Sequence, residues 1–165
     1  MRIEGRKNIE CILLDKNLPA QDQSFDVIIM HNVCEHIIDL DFWFSEYFRV
    51  LKTDGVFLNQ FSPLFYSPYG AHLVDALKLP WGHLIFGVNA VVELRNLYYP
   101  GHLVARSWAD LGLNRLTKHK YLKTVEKAGF RLRSFAFETS KGVPLGWVPW
   151  LRNLFIIQVT SVLTK

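Results

Sequence analysis

The stretch Cys11–Phe61, CILLDKNLPAQDQSFDVIIMHNVCEHIIDLDFWFSEYFRVLKTDGVFLNQF, constrains the fold more than any other part of the chain. It reads as strand, loop, strand, polar turn, amphipathic helix, glycine turn, strand. Ile9–Leu14 (IECILL) is a short, nearly continuous apolar run ending at Asp15, and Phe25–Met30 (FDVIIM) is a second run dominated by β-branched residues. Continuous rather than alternating hydrophobicity suits strands covered on both faces. Asp39 stands where a helix cap is needed. Leu40, Trp43, Phe44, Tyr47, Phe48 and Leu51 then recur at three- and four-residue steps, which predicts a helix from about Leu40 to Lys52. Asp54-Gly55 supplies the turn that ends it, and Val56–Phe61 returns as a third strand. A strand–helix–strand unit of this size implies parallel strands and a right-handed crossover.

Open α/β sheets place their binding crevices at the carboxyl ends of their strands. Asp15 falls just past one strand, where a carboxylate can accept a hydrogen bond from an exocyclic amine or a hydroxyl; in isolation it reads more simply as a turn former. His31 and Asn32 follow the next strand and can line the same crevice, with the polar turn His31–Ile38 beside them.

Beyond Phe61 the texture changes. Ser62–Thr117 carries Pro63, Pro68, Pro80 and Pro100 and is rich in glycine and aromatic residues, as expected of an insertion packed over the sheet. Two helices can be drawn in it, about His72–Leu79 and Leu84–Leu97. Regular structure resumes at Thr117, an N-cap for a helix whose buried stripe is Tyr121, Leu122, Val125 and Ala128, with Leu116 and Tyr121 at staple positions and Gly129 as its stop. Phe130–Glu138 alternates apolar and polar residues, and Leu154–Leu163 is a last strand; the two are expected to form an antiparallel edge pair.

Composition narrows the function classes. With 165 residues, half of them hydrophobic and 21% charged, the chain has enough apolar surface for one folded domain. Cys11 and Cys34 cannot build a disulfide framework, and Cys11 inside its apolar run reads as a small buried hydrophobe, so a reducing cytoplasm is the expected compartment. MRIEGRKNIE lacks the apolar core of a secretory signal. No run reaches the roughly 18–20 apolar residues of a spanning helix, although the Trp- and Pro-rich Val143–Phe155 leaves peripheral membrane contact open. Between Arg115 and Arg133, seven Lys/Arg face one acidic residue, Glu126, a local charge of +6. A solvated helix face explains this more simply than a nucleic-acid surface.

At this point the residues resemble a family. An apolar strand ending in Asp15, then Leu18-Pro19, Ser24-Phe25-Asp26, Glu35-His36, Arg49-Val50-Leu51-Lys52 and Gly55 follow one another as in the middle of class I S-adenosylmethionine-dependent methyltransferases. The downstream PYGAHL, LPWGHLIF and LNRLT resemble the lid of methyltransferases found with polysaccharide-biosynthesis genes. The resemblance implies a Rossmann-like, doubly wound, mostly parallel sheet with an antiparallel edge pair. It implies S-adenosylmethionine as cofactor and a small-molecule or saccharide acceptor. Asp15 and the Lys16 backbone would bind the adenine, His31, Asn32 and Val33 would line the methionine side, and Glu35 and His36 would lie near the acceptor. The family's opening strand, Gly-rich turn and ribose-binding carboxylate have no counterpart before Ile9. The chain is therefore expected to represent an N-terminally truncated form, with sheet edges open to self-association.

Organised this way, residues 1–61 form the cofactor side, 62–117 an aromatic lid, and 118–165 the last helix and edge strands. Tyr66, Tyr69, Trp81 and His83 are the lid residues expected to contact the acceptor, with Glu35, and His36 or His72 is the expected base. Two other chemistries are weaker. His31, Cys34, Glu35 and His36 have metal-ligand types but are crowded into one short segment, where structural zinc draws pairs from separated ones, so no metal is expected. Cys34 as a nucleophile lacks a visible oxyanion device. The alternative to an enzyme is a catalytically inactive methyltransferase-like protein that binds a partner.

Overall fold

The computed structural model describes residues 17–140 and 151–165. The predicted strand Ile9–Leu14, with Cys11, Asp15 and Lys16, and most of Val143–Phe155 lie outside the described residues.

Four strands form one sheet: β1 (Phe25–His31), β2 (Leu51–Phe61), β3 (Arg131–Thr139) and β4 (Ile156–Thr164). Their spatial order is β1-β2-β4-β3. β1 and β2 are parallel, as the strand–helix–strand reading requires. β4 runs antiparallel to both of its neighbours, β2 and β3. The α/β class and the antiparallel edge pair of the last two strands are as expected, with β3 the edge of the described sheet and β4 its neighbour. One correction follows: the described pairings are mostly antiparallel rather than mostly parallel, because the single reversed strand inserts between two that share a direction.

The helix predicted after Asp39 is α1, Leu40–Val50, and Asp39 caps it by accepting from the Phe42 N–H at 3.0 Å. It stops earlier than Lys52. Leu51 already belongs to β2, and Lys52–Gly55 form an irregularity inside the strand, where the register jumps from Phe25↔Leu51 to Val27↔Val56. Gly55 is needed there: a Cβ would lie 2.7 Å from Leu51 Cδ1 and 3.0 Å from the Lys52 carbonyl oxygen.

One sheet face carries the core. Phe57, Asn59 and Phe61 of β2 and Val159, Ser161 and Leu163 of β4 are buried on it, beneath α1 and α4 (Lys118–Lys127). Phe44 of α1 packs edge-on against Tyr121 of α4 and Phe130 and tilted on Phe57, with ring centroids 5.5–6.3 Å apart. A polar thread runs through this core: Asn59 Nδ2 donates to the Tyr121 hydroxyl at 3.2 Å, and that hydroxyl is paired with Ser161 Oγ. Burial pushes the Tyr121 phenol up to about 12, so it stays protonated.

Several residues of the recognised motif serve this framework. Arg49 ties the loop before β1 onto α1: Nη1 donates to the Ala20 carbonyl and Asp22 Oδ1 at 2.8 Å, Nη2 to the Leu18 carbonyl at 3.1 Å, and Nε to Glu46 Oε1 at 2.8 Å. Lys52 pairs with Asp26 at 2.7 Å.

The 62–117 segment departs further from expectation. His72–Leu79 is a set of turns rather than a helix. The second predicted helix is broken into α2 (Gly82–Ile85) and α3 (Val88–Tyr98) by Gly87, whose φ of 82° lies in the left-handed region that suits glycine. The segment has its own small core of Ala71, Val91, Trp108 and Leu113. Among the described residues no helix is long and apolar enough to cross a membrane.

Candidate active site

The parallel pairing of β1 and β2 brings His31 and Phe61 to one carboxyl edge, with His31 in register with Gln60. Just beyond, Asn32 donates its N–H to the Gln60 carbonyl at 2.9 Å and its side chain accepts from Ser62 Oγ at 3.4 Å. Asn32 has φ 50°, a left-handed conformation that asparagine tolerates better than most residues. His31, Asn32 and Val33 are all exposed and form an open shelf at the strand ends.

The chain then winds into a single 3-10 turn, Cys34–His36. Cys34 is fully buried, and burial raises its thiol well above the usual range, which leaves it a protonated packing group. The turn is held from outside by Asn114. Its Nδ2 donates to the Cys34 carbonyl at 2.7 Å and to the Ile37 carbonyl at 2.6 Å, and its backbone N–H donates to the Glu35 carbonyl at 3.0 Å. Asn114 belongs to the LNRLT motif, but its spacing gave no hint that it would clamp a turn some eighty residues away.

Glu35 is 3% exposed, and its Oε2 has no partner among the described residues. Burial raises its pKa, opposed chiefly by its own backbone N–H and then by the His36 imidazole. A buried carboxyl with a lone pair left over suits a cationic group or a donor entering from the shelf.

His36 is fixed by geometry. Its Nδ1–H donates to the Gly112 carbonyl at 2.8 Å, which assigns that tautomer to the neutral ring and leaves the lone pair on Nε2. His72 stands edge-on to it, ring centroids 5.3 Å apart. His72 has φ 57°, and burial lowers its pKa, so its imidazole is neutral near pH 7. Left-handed backbone at a bulky residue concentrates where a site is over-determined by its surroundings.

His36 and His72 share a cavity of about 200 Å³ with Arg95, Tyr99, His102 and Asp110, none of which the sequence had marked. The four expected lid contacts do not join them there. His83 is buried, and its Nε2–H donates to the Phe65 carbonyl at 2.5 Å. Trp81 Nε1–H bridges the Tyr66 and Leu154 carbonyls at 3.2 and 3.1 Å. Tyr66 lines a separate cavity of about 290 Å³ with Lys118, His119 and Asn153, while Tyr69 lies beside His83 at a minor crevice. Among the described residues no group of three or more His, Cys, Asp or Glu side chains could hold a metal ion.

Comparison with known proteins agrees with this architecture. Residues 2–59 match the family described as methyltransferase domain. No curated protein matches the sequence. Among solved structures, an S-adenosylmethionine-dependent methyltransferase from Mesorhizobium loti aligns with TM-score 0.53 at 13% identity, covering 88% of this chain and 64% of that one. The trans-methyltransferase CalH in complex with SAH aligns with TM-score 0.54 at 16% identity, covering 97% and 37%. Geranyl diphosphate C-methyltransferase from Streptomyces coelicolor A3(2), solved with Mg2+, geranyl diphosphate and S-adenosyl-L-homocysteine, aligns with TM-score 0.51 at 13% identity, covering 90% and 50%. The chain thus spans 64%, 37% and 50% of these three proteins. It has the Rossmann-like fold of class I S-adenosylmethionine-dependent methyltransferases. Its first third carries the sequence signature described as methyltransferase domain.

Proposed function

We propose that this protein transfers the methyl group of S-adenosylmethionine to an oxygen or nitrogen of a small-molecule or saccharide acceptor. The observation that carries the reading is His36, whose Nδ1–H is tied to Gly112 and whose Nε2 lone pair stands at the carboxyl edge where this fold places its crevice. Bound S-adenosylmethionine supplies an electrophilic methyl carbon on a cationic sulfonium. His31, Asn32 and Val33 form the shelf assigned to its methionine side, and Asp15 with the Lys16 backbone is assigned to its adenine. The unpartnered Glu35 carboxyl fits a cation in that neighbourhood.

In this reading residues 1–61 hold the cofactor, 62–117 act as a lid, and 118–165 brace the sheet. Methyl transfer is an in-line displacement, so the protein contributes chiefly alignment and exclusion of water, with one base for a hydroxyl acceptor. His36 Nε2 takes the acceptor proton. His72, neutral and edge-on to it, keeps a second positive charge from forming beside it. Asn114 holds the turn that carries His36, and so acts on the reaction by positioning.

Calorimetric titration with S-adenosylhomocysteine is the direct test. Micromolar binding, weakened by Asn32→Ala, is the expected result; absence of binding to the folded chain rejects the reading for this polypeptide. His36→Gln should retain that binding and lose methyl transfer by about 10²–10⁴-fold.

A further inference from the structure

The cavity beside His36 has a lining that neither the motif nor the fold accounts for. Arg95 of α3 uses only Nη1 on its neighbours among the described residues, donating to the Leu103 carbonyl and to Asn96 Oδ1 at 3.1 Å. Asn96 closes the loop beyond α3 in both directions: its Nδ2 donates to the Ala105 carbonyl at 2.7 Å, and its Oδ1 accepts from the Ala105 N–H at 2.9 Å. The loop carrying Tyr99 and His102 is therefore tied at both ends, and these two rings pack with centroids 5.5 Å apart. Asp110 is the one acid in the lining. Its Oδ2 already accepts from the Arg106 and Ser107 N–H groups at 2.8 and 2.9 Å, a turn that holds the carboxylate to its own loop.

What remains is a guanidinium, three imidazoles and a phenol around one space. A guanidinium presents paired N–H donors whose geometry matches two oxygens of a carboxylate or phosphate. The His102 imidazole and the Tyr99 phenol can add further donors, whereas His36 Nδ1–H is committed to Gly112 and His72 Nε2 faces the Pro63 carbonyl at 3.5 Å. Metal binding is not the alternative, since no described cluster of three His, Cys, Asp or Glu residues can hold an ion. The volume of about 200 Å³ lies below the roughly 300–1,000 Å³ of drug-sized sites, so it suits a small acid or the charged head of a larger molecule.

We propose that this cavity is the acceptor subsite and takes an oxyanion, carboxylate or phosphate, on the substrate through Arg95 and His102. The acceptor role rests on the methyl-transfer reading above; the affinity for an oxyanion does not. Held there, the anionic end anchors the acceptor with its nucleophilic atom toward His36. His72 lines the same cavity, edge-on to the base.

The test follows histidine imidazole NMR signals of the full chain during titration with inorganic phosphate and, separately, with benzoate, in the presence and absence of S-adenosylhomocysteine. Millimolar concentrations of at least one anion should shift the His72 and His102 signals and leave His119, in the other cavity, unmoved. A response to phosphate alone or to benzoate alone supports the proposal and identifies the source of the oxyanion. Arg95→Gln should weaken the response by roughly tenfold. Because Arg95 also holds Leu103, the exposed His102→Gln serves as a second variant that should weaken binding with the fold intact. Shifts that survive both substitutions, or no shift with either anion, overturn the proposal, even if S-adenosylhomocysteine binds. Anion binding without S-adenosylhomocysteine binding keeps the oxyanion site and rejects its role as an acceptor subsite.

Discussion

The sheet core and residues 62–117, the proposed lid, are both aromatic-rich, yet they satisfy their polar atoms differently. In the core, Asn59, Tyr121 and Ser161 share hydrogen bonds inside a shell of buried rings, and only Asn59 Oδ1 is left over. In the lid, Ser67 Oγ, His83 Nδ1, Trp108 Nε1 and Asn114 Oδ1 are buried without partners among the described residues. Its surface also exposes Ile85, Phe86, Leu97 and Leu103, the last at 91%. Unmet polar atoms and unburied apolar side chains both lower local stability. The difference teaches that the sheet and its helices carry most of the folding free energy, while residues 62–117 are held more weakly, as the lid role proposed for them requires.

The strongest way to break that contrast is Phe44→Ala. Phe44 is fully buried and meets Tyr47, Phe57, Tyr121 and Phe130, so its truncation should cost about 3–5 kcal/mol and shift the whole urea transition. A loss under about 1 kcal/mol would mean that the core is not where stability resides.

Asn114→Ala probes the seam between the two regions. It removes two side-chain hydrogen bonds to the turn bearing Glu35 and His36, about 1 kcal/mol each. In the proposed reaction methyl transfer should fall through kcat rather than KM, because His36 loses its orientation while Arg95 and His102 keep their places in the cavity lining. An unchanged kcat with lowered stability would confine Asn114 to a structural role.

Trp108→Ala should act more locally. Trp108 packs on Phe65 and belongs to the small cluster of Ala71, Val91 and Leu113. Its loss should speed amide exchange across residues 65–113 and move global unfolding by less than about 2 kcal/mol, below the usual cost of a buried aromatic truncation. If the global transition shifts as far as in Phe44→Ala, lid and core are one cooperative unit.

How much of this was readable from residues alone follows the same division. Where local signals agreed with the fold, they located elements closely: Asp39 caps α1, and Thr117 caps α4 by accepting from the Lys120 N–H. Apolar runs identified β1 and β4 because each is strand-length and bounded by turn residues. In the lid, apolar residues at helical spacing suggested continuous helices, but Gly87 breaks one and the other is turns, since short helices there depend on packing rather than propensity. The site divided likewise. His36 was visible in the polar turn that follows a strand, and His72 as a histidine of the aromatic insertion. Arg95, Tyr99 and His102 were not, because they reach the same cavity only when the segment folds back, a long-range event that no local spacing encodes. Tyr66, Tyr69, Trp81 and His83 showed the converse: their side-chain chemistry was apt, and folding directs Trp81 and His83 to backbone carbonyls instead.

The smallest expected effect concerns acid, and it opposes two groups across the seam. His72 and His83 have pKa values lowered from 6.5 mainly by burial, so the folded lid resists protonation that the open lid accepts. Their contribution is fully present above about pH 6.5 and is lost as pH falls below it, because the open state then binds more protons. Glu35 runs the other way. Burial raises its pKa from 4.5, so the folded turn is favoured as pH falls toward the carboxylate range and penalised as the group ionises. Mild acidification should therefore loosen the lid while easing the strain of burying Glu35 in the turn. Amide exchange, corrected for its intrinsic pH dependence, should show faster opening of residues 65–113 near pH 5.5 than near pH 7.5, with core amides unchanged. His72→Gln should flatten part of that difference. Identical lid opening at both pH values in the parent protein would show that buried imidazoles do not set how firmly the lid is held.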